Sequence, residues 1–203
     1  MEKVKETKKL KKPVTHGAAD VPVIMQMEAL ECGAASLAMV LAYYGKWLPL
    51  EQVRFDCGVS RDGSNARNIL KAARSYGLAA KGYRYEPNDL RRDGKFPCII
   101  HWNFNHFVVL DGFRGNKAIL NDPAKGKYAV SLKTFDDSFT GICLLFEPTE
   151  DFTPGGKPPS VLAYAKKRLK GAGSAVAFAA ITALITAITG VISPAFSRVF
   201  VDR

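Results

Sequence analysis

The segment Gln26-Met-Glu-Ala-Leu-Glu-Cys32-Gly33-Ala-Ala-Ser-Leu37 sets a cysteine at the head of a run of strong helix formers. A sulfur at a helix N-terminus sits among unpaired backbone N–H groups at the positive end of the helix dipole, which favours the reactive thiolate. Gly33, next in line, leaves room for a substrate backbone to approach the sulfur. Gln26, a short way upstream, has a matching use. Its side-chain amide and the Cys32 backbone N–H can converge on a carbonyl oxygen as it becomes an oxyanion. The plainer reading of the same stretch is a capped helix with an incidental Cys and Gln.

A thiolate nucleophile calls for a general base, and the chain holds three histidines. His16 lies in a basic N-terminal stretch, away from any apolar scaffold. His101 ends the apolar run Cys98–His101, where a hydrogen-bonded structural role is expected. His106 leads directly into Phe107-Val-Val-Leu110, a strand able to fix a ring position, and is the candidate base. A third group normally orients such an imidazole. Asp122 fits, because Pro123 biases it toward an extended backbone at a strand end; an Asp-Pro turn is the competing reading, and Asn121 is a rival orienting group. Trp102 and Phe104, beside the proposed base, are candidate walls of a substrate channel, with ordinary packing as the alternative. Nothing in the cysteine and histidine spacing resembles a metal site.

The elements that must position these groups follow from periodicity. Helices are expected over Cys32–Tyr44, stopped by Gly45, over Leu50–Phe55, and over Ala66–Tyr76, stopped by Gly77. The pattern then changes to short apolar strands at 98–101, 107–110, 118–120 and 142–146. Helices first and antiparallel sheet second make an α+β fold. The expected organisation is a disordered basic tail over 1–20 and a globular body over 21–148. A Pro/Gly-rich linker with an amphipathic helix follows over 149–171, and an apolar segment over 172–203.

The chain has 203 residues with 29 Lys+Arg against 19 Asp+Glu, a net charge of +10. Such an excess ordinarily raises nucleic acid or an anionic membrane as a partner. Its distribution decides between them. Residues 1–12 carry six Lys and two Glu, residues 151–203 seven basic and two acidic groups, and the body between is nearly neutral. No zinc-finger or RNA-binding strand motif accompanies the charge, so a nucleic-acid partner is not expected. The last stretch has the basic cluster Lys166-Lys-Arg-Leu-Lys170, then 27 residues without a charge up to Arg198. About 20 such residues cross a hydrocarbon core of ~30 Å, and the basic flank orients the N-terminal side toward the cytoplasm. The cysteines, Cys32, Cys57, Cys98 and Cys143, form no C-x-x-C pair and follow no signal peptide, so free thiols in a reducing compartment are expected.

Gln26…Glu31-Cys32-Gly33, Arg61-Asp-Gly-Ser-Asn65, His106-Phe-Val-Val-Leu-Asp-Gly112 and Asn121-Asp-Pro-Ala-Lys-Gly126 occur in that order. Over about residues 20–148 they resemble the bacteriocin-processing cysteine peptidase domain found at the N-terminus of peptidase-containing ABC exporters. The remainder is similar to the linker and first span of an exporter half-transporter. The resemblance implies a papain-like fold with Cys32 as nucleophile, His106 as base, Asp122 as orienting carboxylate and Gln26 as oxyanion donor. It implies endopeptidase cleavage of a ribosomal precursor peptide (bacteriocin or lanthipeptide type) after a double-glycine-type pair ending its leader. In the full-length protein this is coupled to ATP-driven export, with a homodimeric exporter in the bacterial inner membrane and the peptidase on the cytoplasmic side. The peptidase itself needs no cofactor; ATP and Mg belong to a nucleotide-binding domain, and no P-loop motif occurs in these residues. The alternative is a catalytically silent leader-docking domain.

Overall fold

Cys32-Gly-Ala-Ala-Ser-Leu-Ala-Met-Val-Leu-Ala-Tyr43 contains no charge and is rich in strong helix formers, and it folds as helix α1 (Cys32–Tyr43) with all 12 residues buried. A helix apolar on every side is a core helix, so it needs packing on all its faces. Gly45, at φ 95°, ends it in a conformation that other residues resist. Helices α2 (Leu50–Asp56) and α3 (Ala66–Ser75) pack around it. The Asn65 side chain caps α3, accepting from the Asn68 N–H at 2.9 Å, and the helix buries only Ile69, Ala72 and Ala73. The computed structural model describes residues 10–60, 63–158 and 171–201.

Six strands follow, β1 (Leu78–Arg84), β2 (Cys98–Trp102), β3 (His106–Arg114), β4 (Lys117–Asp122), β5 (Gly126–Ser131) and β6 (Phe139–Pro148). They form one sheet in the order β1-β6-β2-β3-β4-β5, with every neighbouring pair antiparallel. Alternation along the inner strands sends side chains to opposite faces. Ile99, Phe107, Val109, Leu144 and Phe146 pack with α1 and α3. Cys98, Ile100, Val108, Leu110 and Leu120 form a second core with Leu90 of α4 (Pro87–Asp93) and Phe135 of α5 (Leu132–Ser138). The expected α+β arrangement, helices packed on an antiparallel sheet, is the one observed.

The stretch 10–20, expected to be disordered, is instead an ordered arm along the sheet. Val14 and Phe96 exchange backbone hydrogen bonds of 2.7 and 2.8 Å, and Tyr43 donates its hydroxyl to the Lys12 carbonyl. The Ala19 N–H donates to the Asp111 carbonyl and the Phe113 N–H to that of Gly17. Gly112 makes this approach possible: at φ 138°, a Cβ there would lie 2.1 Å from the Gly17 oxygen. The physical reason for the order is that this arm has apolar residues, Leu10, Val14, Ala19 and Val21, that join the cores, which its lysine content obscures. The segment expected to be a linker after residue 148 also packs back: Phe152 is buried, and Gly155 bonds with Trp47 and Gly45.

The contacts divide the chain into a unit ending at Lys157 and a second beginning at Pro158. In the second, α6 (Gly173–Val201) includes the stretch Gly173–Gly190, long and apolar enough to cross a membrane, with mean hydropathy 1.7. Its threonines satisfy their own hydroxyls, Thr182 donating to Phe178, Thr186 to Thr182 and Thr189 to Ile185, at 2.8–3.0 Å. Such back-bonding gives each of these three hydroxyls an acceptor within the helix itself. The amphipathic helix expected within 161–170 lies outside the described residues, as do Arg61 and Asp62.

Candidate active site

Cys32 is the first residue of α1, entered from a single 3₁₀ turn, Ala29–Glu31. One turn further along the helix, Ser36 donates its hydroxyl to the Phe107 carbonyl at 3.2 Å, which fastens the thiol end of α1 to the start of β3. His106 opens β3, and Asp122 closes the antiparallel neighbour β4. Antiparallel pairing brings a strand's start beside its partner's end, and the His106 Nε2 lies 2.8 Å from Asp122 Oδ1. With Nε2 engaged there, Nδ1 is left for the Cys32 thiol, which hydrogen-bonds the same ring. Asp122 is buried, and its Oδ1 also accepts the Ala124 N–H at 2.8 Å, so it is at once the Asp-Pro turn residue and the partner of the imidazole. Tyr128, from β5, adds a longer bond of 3.4 Å to Oδ2.

The electrostatics of the pair run in opposite directions. Burial pushes the Cys32 thiol up, but its hydrogen bond with His106, the Phe107 and Gly33 backbone and the imidazole charge together bring it below its ordinary value. His106 is raised above its ordinary value, chiefly by the hydrogen bond with Cys32; burial opposes this, and the bond and charge of Asp122 add to it. The arrangement favours a thiolate beside an imidazolium. Cys57 makes the contrast: burial, with the charge of Asp56 added, pushes it up to about 12. Cys57, Cys98 and Cys143 are all buried free thiols.

Gln26 lies in an irregular segment, and its backbone N–H donates to the Pro123 carbonyl at 2.9 Å, next to Asp122. Its side-chain Oε1 is buried with no hydrogen-bond partner. The rival to Asp122 is turned elsewhere: Asn121 is fully buried, with Nδ2 on the Val21 carbonyl of the arm at 3.1 Å. His101 bonds Thr140 Oγ1 through Nδ1 at 3.0 Å, and burial followed by the nearby His106 charge lowers its pKa. His16 is exposed on the arm.

Of the two candidate channel walls, Trp102 has the packing offered as the alternative: it is buried in the second core, its ring 5.8 Å from that of Phe135, because β2 alternation turns it to that face. Phe104 sits exposed in the β2–β3 turn at φ 60°. Gly33 also has a different reason from the one expected. A Cβ there would come within 2.5 Å of Ser64 Cβ and 2.7 Å of Ile69 Cδ1, so the space beside it holds the start of α3. One residue was quoted in the motif without a role. Glu31, 3% exposed, accepts the Met27 and Glu28 N–H groups on Oε2 at 3.0 and 3.1 Å, and Arg54 on Oε1 at 2.9 Å. Its signal in the sequence was a carboxylate directly before the cysteine, at a boundary where burial was not readable. Among the described residues no group of three or more His, Cys, Asp or Glu side chains is disposed to hold a metal ion.

Comparison with known proteins bears on this geometry. A family model described as the peptidase C39 family matches residues 20–151. The chain is 39% identical over 132 residues to the colicin V secretion/processing ATP-binding protein of Escherichia coli, covering 65% of this chain and 19% of that protein. It is 28% identical over 137 residues to the lactococcin-G-processing and transport ATP-binding protein of Lactococcus lactis subsp. lactis, covering 65% and 20%. The chain therefore spans about a fifth of the length of these curated relatives. A solved double glycine motif protease from an AMS/PCAT transporter, in complex with the leader peptide, matches with a TM-score of 0.68 and 75% identity, over 68% of this chain and 99% of its own. The peptidase domain of Streptococcus ComA matches in fold, with a TM-score of 0.60 at 24% identity over 63% of this chain and 98% of its own.

Proposed function

The chain belongs to the peptidase C39 family, and from that premise we propose that Cys32, His106, Asp122 and Gln26 carry out leader-peptide cleavage after a double-glycine-type pair. The observation that supports it most is the Asp122–His106–Cys32 relay, in which a 2.8 Å bond fixes the ring and the ring lowers the thiol. The Cys32 thiolate attacks the carbonyl carbon of the second small residue, and a tetrahedral oxyanion forms. The Gln26 side-chain amide and the Cys32 N–H donate to that oxygen. His106 transfers its proton to the departing amine nitrogen, the C–N bond breaks, and the leader remains as a thioester on Cys32. Water then attacks the thioester with His106 taking its proton, releasing the leader carboxylate and restoring the thiol pair. Asp122 keeps Nε2 protonated and Nδ1 aimed at the sulfur throughout.

The substrate assignment draws on the 75% identical protease, which was solved with a leader peptide, and on the secretion and processing role in the name of the Escherichia coli relative. In the longer protein that such relatives represent, cleavage would be coupled to ATP-driven export by a paired exporter. The apolar stretch Gly173–Gly190, behind the basic cluster Lys166–Lys170, supports a membrane span with the peptidase on the cytoplasmic face of the inner membrane. A silent docking domain would have no use for a thiol lowered by an imidazole. The organisation we propose is an arm and peptidase body, a linker, and a first exporter span.

The test is cleavage of a synthetic leader peptide with a Gly-Gly junction, beside a control lacking that pair. Cys32→Ala should abolish cleavage and leave leader binding intact, as read by fluorescence anisotropy. Persistent cleavage by Cys32→Ala would falsify the assignment of the nucleophile.

A further inference from the structure

We propose that Glu31 is a positioning residue for Gln26, acting through the backbone of Met27 and Glu28 and braced by Arg54. The inference rests on the reading of Gln26 as oxyanion donor. Gln26 stands in a segment with no regular secondary structure, so neither a helix nor a strand ladder fixes it. Oxyanion donors act by being in position before the charge develops, and displacement of about 1 Å can cost ~10²-fold in rate. Something outside the segment must hold it.

Three consecutive backbone N–H groups supply that hold. The Gln26 N–H is taken by the Pro123 carbonyl, on the loop that carries Asp122. The next two, of Met27 and Glu28, are both taken by Glu31 Oε2, at 3.0 and 3.1 Å. The second carboxylate oxygen binds the Arg54 guanidinium at 2.9 Å, and Arg54 also reaches Glu28 Oε1 at 3.1 Å. Glu31 is buried and directly precedes Cys32, whereas Arg54 belongs to α2. The carboxylate thus links the donor's segment, the thiol's helix and a second helix through one side chain. A buried carboxylate is retained only where its charge is met, and here two N–H donors and a guanidinium meet it.

The test is a double-mutant cycle on the 203-residue chain in detergent, reading kcat and KM with a leader peptide ending in Gly-Gly and carrying a fluorogenic leaving amine. Gln26→Ala alone should lower kcat by ~10²–10³. Glu31→Gln keeps the shape and removes the charge, and should lower kcat by ~10- to 100-fold with KM unchanged. The double variant should be no slower than Gln26→Ala, since a donor already removed cannot be misplaced. The pH at which iodoacetamide alkylates Cys32 should stay that of the parent, because Glu31 acts on the donor and not on the thiolate. Losses that multiply in the double variant, or an upward shift of the alkylation pH in Glu31→Gln, overturn the proposal and leave the oxyanion reading standing. A silent Gln26→Ala overturns both. If Glu31→Gln does not fold, Arg54→Gln, which leaves both backbone bonds in place, enters the same cycle with the same non-additivity expected.

Discussion

At the scale of residues, the Cys32–His106 pair carries a pH dependence with a definite sign. Cleavage rises as the thiol loses its proton and falls as the imidazolium loses its own, and the two limbs are properties of the pair. Burial works against the thiolate, yet the imidazole together with the Phe107 and Gly33 backbone outweighs it, so the rising limb lies below the ordinary thiol value of 9.0. The falling limb lies above the ordinary 6.5 of histidine. By the same linkage, pairing at His106 stabilises the fold below pH 6.5 and is lost as pH rises through its raised value. Asp122→Asn removes part of what raises His106, so its falling limb should move to lower pH and kcat should drop by ~10²–10⁴. Asn121→Ala should leave the falling limb where it is, its side chain being occupied with Val21. Profiles of kcat/KM against pH for the three proteins decide the matter; an unshifted limb in Asp122→Asn would remove that residue from the relay.

At the scale of elements, the tightest constraint near the thiol is the crossing of α1 and the start of α3 at Gly33. Gly33→Ala places a methyl 2.5 Å from Ser64 Cβ, and overpacking of this kind costs about 1–3 kcal/mol. Thermal melts should show that loss, and Ser64→Gly on the same chain should recover part of it. No recovery would mean the strain lies with Ile69 instead. Which elements were legible follows a physical pattern. α1, α2, α3 and the inner strands β2, β3, β4 and β6 announce themselves through apolar runs bounded by glycine and turn residues. β1 and β5 do not, because edge strands bury few side chains: β1 has Leu78 and Ala80 inside and the rest exposed. α4 and α5 each bury one residue, Leu90 or Phe135, too few to set a period. The relay residues Cys32, His106 and Asp122 could be picked out from their element boundaries. Glu31 and the arm could not, since what defines them is burial of groups whose composition reads as solvent-facing.

At the scale of the whole molecule, the unit ending at Lys157 closes its own cores, and the stretch Gly173–Gly190 has no buried residue. The two should therefore separate by solubility. A chain stopped at Lys157 should stay in the supernatant without detergent and cleave a Gly-Gly leader peptide with unchanged kcat/KM, while the 203-residue chain sediments with membranes. A truncated chain that is soluble but inactive would show that the second unit contributes to the site. The position of β6 has a further consequence for how the protein is born. It is the last strand to be made, yet it lies between β1 and β2, so until residues 139–148 leave the ribosome the sheet is two unjoined pieces. α1, which carries Cys32, waits for the same strand, since Tyr44 just past its end anchors on the Phe146 carbonyl at 2.7 Å. The apolar helix beginning at Gly173 follows close behind in translation. The peptidase body is thus completed only shortly before the apolar helix that follows it, so the time in which a finished body exists without that helix is short.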